Sequence, residues 1–249
     1  MRVSLLITCL VDLFQPEVGE ATVRALRAAG CSVSCPMGQT CCGQPAWNAG
    51  FANDAALVAR TTLDALEADL ASGSEAVVVP AGSCATMVKV FWPELFEIAG
   101  DHDASVRARA VGERTFELSS FLAGRDIVGL RPLTDPPRVA YHHSCHMLRE
   151  LRLHDPPLQL LERLGCTVVD WPDAERCCGF GGLFSVKLPE ASVAMADTKL
   201  GSIPAEATLL CGSDGSCLMH LAGRASHEGQ LRPTRHLALL ISDALDGGG

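Results

Sequence analysis

A pair of adjacent cysteines followed by glycine occurs twice in this chain, and the second copy repeats the surroundings of the first. Cys41-Cys42-Gly43 recurs as Cys177-Cys178-Gly179, an offset of 136. Cys9 and Cys145 share that offset, as do Pro36 and Pro172. Gly30-Cys31 and Gly165-Cys166 match at 135, and Cys84 and Cys217 at 133. Each half therefore reads C-x31-CCG, with a further cysteine 42 or 39 residues after the pair. Self-similarity of this kind marks an internal repeat. The 249 residues divide into a first repeat at 1–123, a linker at 124–138 and a second repeat at 139–249. The linker is placed where glycine, proline and aspartate interrupt the pattern, in GRDIVGLRPLTDPPR.

The hydrophobic spacing supports the same division. Val3–Thr8 is a short apolar run ending at Cys9, and a helical pattern follows from Pro16 to Ala29. Proline at its start and Gly30 at its end fit the residue preferences of helix termini. Val18, Thr22, Ala25, Leu26 and Ala29 recur at the spacing of one helix face. Ser32–Cys35 is a second short strand, Asn53–Ala71 a long helix, and Ala76–Val79 a buried strand ahead of Cys84. The second half repeats this with Val139–His142, a helix near Pro157–Leu164, Thr167–Val169 and Thr208–Leu210. Strands alternating with helices indicate an α/β fold: two pseudo-symmetric repeats, each a mainly parallel sheet flanked by helices. Cys9, Cys84, Cys145 and Cys217 then each follow a strand. In open α/β sheets, ligands bind in the crevice beyond the carboxyl ends of the strands. Four sulfurs per half converge on that place.

Composition narrows the chemistry. Lysine and arginine total 20 against 29 acidic residues, a net charge of −9, and aromatic residues are 5% with a single tyrosine. Such a chain is a poor match to phosphate backbones or base-stacking, so nucleic acid is excluded as the main partner. No stretch approaches the ~20 apolar residues of a membrane span. The opening MRVSLLITCLVDL resembles a short signal peptide. It has one basic residue and no small-residue cleavage site, and it carries Cys9, whose counterpart is Cys145. It reads as a buried strand, and the expected location is the cytoplasm. There thiols stay reduced, and clustered cysteines signal metal or redox chemistry rather than disulfides.

Four converging thiolates suit a structural zinc or an iron–sulfur cluster. The two C-x2-C pairs of zinc ribbons and the C-x2-C-x2-C run of ferredoxins are both absent. Adjacent cysteines diverge in an extended segment and are easier to use on a larger inorganic cluster. Free thiols or a vicinal disulfide are the bland alternatives, and the repeated spacing disfavours them.

The residues resemble the CCG, or cysteine-rich, domain family, which occurs as tandem copies, and within it the lactate utilization protein A group. The matching segments are TCLVD at 8–12, QTCCGQPAWN at 39–48, PAGSC at 80–84, HHSCHMLREL at 142–151, ERCCGFGGLFSVK at 175–187 and DGSCLMH at 214–220. The resemblance spans essentially the whole chain. It implies an iron–sulfur subunit that carries electrons in an L-lactate-oxidising complex, an oxidoreductase assembly converting lactate to pyruvate. Two other proteins complete that complex, one of them ferredoxin-like. Carried over by motif, Cys9, Cys41, Cys42 and Cys84 form one site, and Cys145, Cys177, Cys178 and Cys217 the other. The cofactors implied are one or two [4Fe–4S] clusters per chain, with zinc as the alternative in the first site. Heterodisulfide-reductase relatives carry a fifth cysteine per motif, in P-C-x-G-C. Here Ala81 and Asp214 stand at those positions, which favours electron relay over direct disulfide reduction. A zinc-stabilised interaction module with at most one redox centre is the third reading.

Other residues are less determined. Cys31 and Cys166 read as small core residues, while Cys35 and Cys211 have no counterpart in the opposite half. Seven of the eight histidines lie after residue 141, and His142, His143 and His146 flank Cys145. Histidine ligates metals or donates to cluster sulfur. His146 is the candidate supporting or substitute ligand, and His220 has a lower claim. Gly43, Gly179, Gly181 and Gly182 let backbone approach a bound group, with Phe180 and Phe184 as its shield. The uneven histidines make the two sites inequivalent.

Overall fold

The computed structural model describes residues 1–230 and 232–245. Each repeat contains one four-stranded sheet. In the first, β1 (Arg2–Leu5), β2 (Ser32–Ser34), β3 (Ala76–Val79) and β4 (Thr115–Glu117) lie in the order β2-β1-β3-β4. In the second, β5 (Arg138–His142), β6 (Thr167–Val168), β7 (Leu209–Gly212) and β8 (Thr234–His236) lie in the order β6-β5-β7-β8. All six pairings are parallel, with Val3 beside Val33 and Ala76, and Val139 beside Val168 and Leu209. The opening residues thus form a central strand. The last strand of each sheet, β4 and β8, was not anticipated: Thr-Phe-Glu and Thr-Arg-His lack the apolar run that marks β3.

The strand order explains where a ligand can sit. After β1 the chain crosses to one side to make β2 and then returns to the other side of β1 to make β3. A crevice opens at this reversal, beyond the carboxyl ends of β1 and β3. The same reversal occurs between β5 and β7.

Helices cover both faces. The helix Pro16–Ala28 has proline in its first turn, buries Val18, Ala21, Thr22, Ala25 and Leu26, and stops at Gly30 with φ +77°. The helix Ala52–Ala71 buries Ala55, Ala59, Leu63 and Leu66 on the opposite face. The closing helix of each repeat packs on the other repeat. Leu237–Leu245 lies against Pro16–Ala28, and Leu118–Leu122 lies against Asp155–Arg163. One continuous apolar core results, joining Leu26, Ala25 and Leu122 to Tyr141, Leu160 and Ile241. Burying each large aliphatic chain stabilises by about 1.5–3 kcal/mol, so this exchange of helices locks the two sheets together. Among the described residues no helix is long and apolar enough to cross a membrane.

Candidate metal centres

Both crevices hold cysteines in matched positions. Cys9 opens the helix Cys9–Phe14 after β1, and Cys84 lies in the helix Gly82–Thr86 after β3. Cys145 opens Cys145–Arg149 after β5, and Cys217 lies in Gly215–His227 after β7. The vicinal pairs come in on loops, and the glycine after each pair has a specific task. Gly43 has φ +86° and Gly179 φ +90°. A Cβ at Gly43 would stand 2.7 Å from the Ala55 carbonyl oxygen, and one at Gly179 would stand 2.6 Å from that of Ser192. Only glycine lets the loop press onto the following helix there. In the first repeat Trp92 Nε1 also donates to the Cys42 carbonyl at 2.8 Å, anchoring the pair from below.

The sulfurs meet. Cys9 Sγ lies 3.5 Å from Cys41 Sγ, Cys42 Sγ 3.3 Å from Cys84 Sγ, and Cys145 Sγ 3.8 Å from Cys177 Sγ. All eight cysteines named from the repeat line one cleft of about 240 Å³ between the two sheets, together with Gln44, Asn48, His146, Phe180, Gly181 and Asp214. Within each quartet the first member of the vicinal pair is the thiol most easily ionised. Donation from Cys42 and Cys9, aided by the Gly43 N–H, pulls Cys41 down to about 3. Donation from Cys145 and Cys178, aided by the Gly179 N–H, pulls Cys177 to about 2. Their donors are pushed the other way: Cys9, Cys42, Cys145 and Cys178 hold their protons well above the ordinary thiol range. Crowding four thiols allows one negative charge and resists the next. A soft cation or cluster would relieve that repulsion, and the donor set fits either.

The surroundings of the two quartets differ. His142, at the end of β5, is buried, and neither ring nitrogen has a hydrogen-bond partner. One of its ring nitrogens groups with the sulfurs of Cys178 and Cys217, all within 4.8 Å of one another. Burial, reinforced by Lys199, keeps this ring neutral. His143 stacks on His154 with ring centroids 4.5 Å apart, and burial pushes it down to about 4. His146 lines the cleft, but its Nδ1 lies 3.3 Å from Glu150 Oε2 and its ring meets Phe91 edge-on at 5.9 Å. Lys199 is fully buried, donates to the Asp173 and Ala174 carbonyls, and sits 4.1 Å from the Trp171 ring centroid. Burial lowers it to about 8.

Of the three histidines flanking Cys145 the sequence reading named His146, whereas the structure groups a ring nitrogen of His142 with two sulfurs. Nothing in the sequence distinguished Lys199. The pseudo-repeat itself carries a signal for His142, since position 6, its counterpart 136 residues earlier, is the buried Leu6. The remaining cysteines stay apart from the quartets. Cys31, Cys166 and Cys211 belong to the apolar core, and Cys35 is exposed beside Gln39. Ala81 is buried and apolar. Asp214 accepts from the Ser83 backbone N–H at 2.8 Å and from Ser216 Oγ at 2.5 Å, so its carboxylate is engaged. Phe180 lines the cleft and leans on His220, while Phe184 packs against Gly181.

Comparison with known proteins adds to this geometry. The cysteine-rich domain, CCG, matches residues 3–89 and again 139–222. The chain is 41% identical over 246 residues to lactate utilization protein A of Geobacillus kaustophilus, covering 97% of this chain and 99% of that one. It is 40% identical over 250 residues to lactate utilization protein A 2 of Bacillus cereus, covering 99% and 100%. Among solved structures, a hypothetical protein from Helicobacter pylori superposes with a TM-score of 0.67 at 9% identity. That match covers 98% of this chain and 50% of the other, a likeness of fold alone.

Proposed function

Because the chain belongs to the lactate utilization protein A family and carries two cysteine-rich CCG domains, we propose that it is the iron–sulfur electron-transfer subunit of an L-lactate-oxidising complex. Its place in lactate utilization follows from the family. The redox role is inferred chiefly from the convergence of eight cysteines, four from each repeat, on one cleft. Cys9, Cys41, Cys42 and Cys84 would hold one cluster, and Cys145, Cys177, Cys178 and Cys217 the other. A thiolate-bound cluster supplies reversible one-electron transfer at a potential tuned by nearby charge, hydrogen bonds and solvent.

The chain's own residues prepare the sites. Gly43 and Gly179 direct backbone N–H groups at Cys41 and Cys177, each 3.5 Å from the sulfur, and so offset part of the negative charge. Phe180 and the apolar wall limit water. The two sites share one cleft, which favours passage of electrons between them and on to partner proteins, one of them ferredoxin-like, in the cytoplasm. Asp214 and Ala81 at the fifth-ligand positions argue against disulfide reduction.

The sulfur geometry also suits a second reading, a single zinc ion in a quartet. Zinc–thiolate bonds of about 2.3 Å set tetrahedral sulfur–sulfur edges of about 3.8 Å. The separations of 3.3 and 3.5 Å in the first quartet and 3.8 Å in the second all lie near that value, so the metal content of each site decides between zinc and a cluster. Metal and sulfide analysis of the anaerobically purified protein separates the readings. About four irons and four sulfides per quartet, lost with Cys41→Ser and Cys177→Ser respectively, support electron relay. Zinc in both quartets with no iron would overturn it.

A further inference from the structure

The second quartet has a neighbour that the first lacks. His142 ends β5, is 1% exposed, and leaves both ring nitrogens without a hydrogen-bond partner. The Ala174 carbonyl lies close enough to favour the protonated ring, yet it falls outside hydrogen-bond geometry and already accepts from His143 N at 3.0 Å and Lys199 Nζ at 3.1 Å. A buried imidazole with no partner is a costly arrangement unless something else satisfies it. What lies next to it are two sulfurs: a ring nitrogen, Cys178 Sγ and Cys217 Sγ fall within 4.8 Å of one another.

The first repeat serves as an internal control. Leu6 stands three residues before Cys9, as His142 stands three before Cys145. Leu6 is buried in the apolar cluster that contains Cys42, Val79 and Ala85. The fold thus accepts a plain aliphatic side chain at this place. A polar ring is not needed to build the strand end or fill the volume, so its presence in one repeat alone points to a task at the sulfurs.

We propose that His142 is a protein ligand of the second centre, its ring nitrogen binding the metal held by Cys178 and Cys217. The first centre is then all-thiolate and the second mixed thiolate–imidazole. The proposal rests on the reading that these cysteines bind metal and deepens it by making the two centres chemically different. An uncharged nitrogen in place of thiolate removes negative charge from the metal and raises its reduction potential. A second centre that takes His142 instead of one of its four cysteines would therefore be the better electron acceptor of the two.

X-ray absorption at the edge of the bound metal tests this on the full-length, anaerobically purified protein. The Cys41→Ser background silences the first site, and metal content is measured on the same samples. The expected result is a nitrogen shell with imidazole outer-shell scattering, lost in His142→Leu, the residue the first repeat uses. His142→Gln, which keeps a polar side chain, should lose the imidazole scattering too and serves if the leucine variant does not fold. An all-sulfur shell that is the same with and without His142, at unchanged metal content, would overturn the ligand assignment and leave metal binding intact. A second site that takes up no metal would overturn both together.

Discussion

The buried Asp214 carboxylate of the second repeat accepts the Ser83 backbone N–H of the first at 2.8 Å, across 131 residues of chain. Ser83 precedes Cys84, so a second-repeat side chain fixes the start of the helix that carries a first-repeat cysteine. Two further contacts run the same way. Gly82 N donates to the Ser213 carbonyl, and His236 Nε2 donates to the Pro80 carbonyl at 3.1 Å. Asp214→Ala would leave the Ser83 N–H unpaired beside the cleft and remove the acceptor for Ser216 Oγ. Hydrogen bonds to a charged group are worth about 1.5–3 kcal/mol. The expected loss of stability is about 2–3 kcal/mol, with a smaller loss for Asp214→Asn, which keeps one acceptor. Urea midpoints of the three proteins check this.

Gly43 and Gly30 both have positive φ, +86° and +77°, but only Gly43 is crowded. A Cβ at Gly43 meets the Ala55 carbonyl oxygen at 2.7 Å, whereas one at Gly30 meets nothing within 4 Å. Gly30→Ala should therefore cost only the left-handed backbone penalty, about 1–2 kcal/mol. Gly43→Ala adds a clash that the helix Ala52–Ala71 must absorb, for a total of roughly 3 kcal/mol or more. It should also lower metal content at the first site, because the displaced loop carries Cys41 and Cys42. Thermal unfolding with metal analysis of both variants distinguishes a general glycine effect from this local one.

Much of the layout was legible in the sequence because the repeat, the apolar runs and the prolines all state the same thing. Ala76–Val79 is apolar at every position and buried on both faces, so β3 matches its expected bounds. The helix Pro16–Ala28 is announced by Pro16 and Gly30. What was not legible depends on long-range placement. Thr115–Glu117 becomes a strand because β3 offers it a free edge, not because three mixed residues favour one. The distinction between His142 and His146 turns on which way a strand end and a helix face the sulfurs, and local spacing carries no such information. Lys199 reads as one more helix cation until its neighbours Asp173, Ala174 and Trp171 are brought against it by the fold.

Glu117 ties stability to pH. It is buried at the end of β4, where Oε2 accepts from the Ser119 and Ser120 N–H groups and from Ser119 Oγ, while Oε1 has no partner. Desolvation outweighs these bonds, with Asp214 adding to it, and raises the carboxyl to about 7. The folded state therefore holds this proton at a pH where the unfolded chain has released it. The resulting stabilisation is complete below about 4.5, the unfolded value, and is lost as pH rises through about 7. The shift corresponds to about 3 kcal/mol. Buried His143 and His236, both pushed down to about 4 by desolvation, act in the opposite direction, so the comparison must be with Glu117→Gln. The stability of the natural protein relative to this variant should fall by about 3 kcal/mol between pH 4.5 and 8. A difference that stays flat with pH would show that Glu117 keeps its charge in the fold.

Lys199 supplies the last test, and it concerns the inequality of the two centres. Its ammonium is fully buried, and Cys178, Cys217 and Cys177 are near enough that negative charge on their sulfurs favours the protonated amine. The first repeat has no matching cation. Ala55 and Ser192 are matched by their contacts with Gly43 and Gly179, and seven residues beyond each lie Thr62 and Lys199. Thr62 instead spans the Thr40 N–H and the Cys41 carbonyl. A fixed positive charge stabilises the reduced, more negative form of a nearby thiolate-bound centre. Lys199→Met keeps the length and apolar stem and removes the charge. The second centre should become harder to reduce by tens of millivolts, while the first stays unchanged. Losing the donor to the Asp173 and Ala174 carbonyls should cost a further ~1–3 kcal/mol of stability. A redox titration followed by electron paramagnetic resonance, with the natural protein alongside, reads the potentials separately. Equal shifts at both centres, or none at either, would mean that Lys199 only fills and braces the core beneath Trp171.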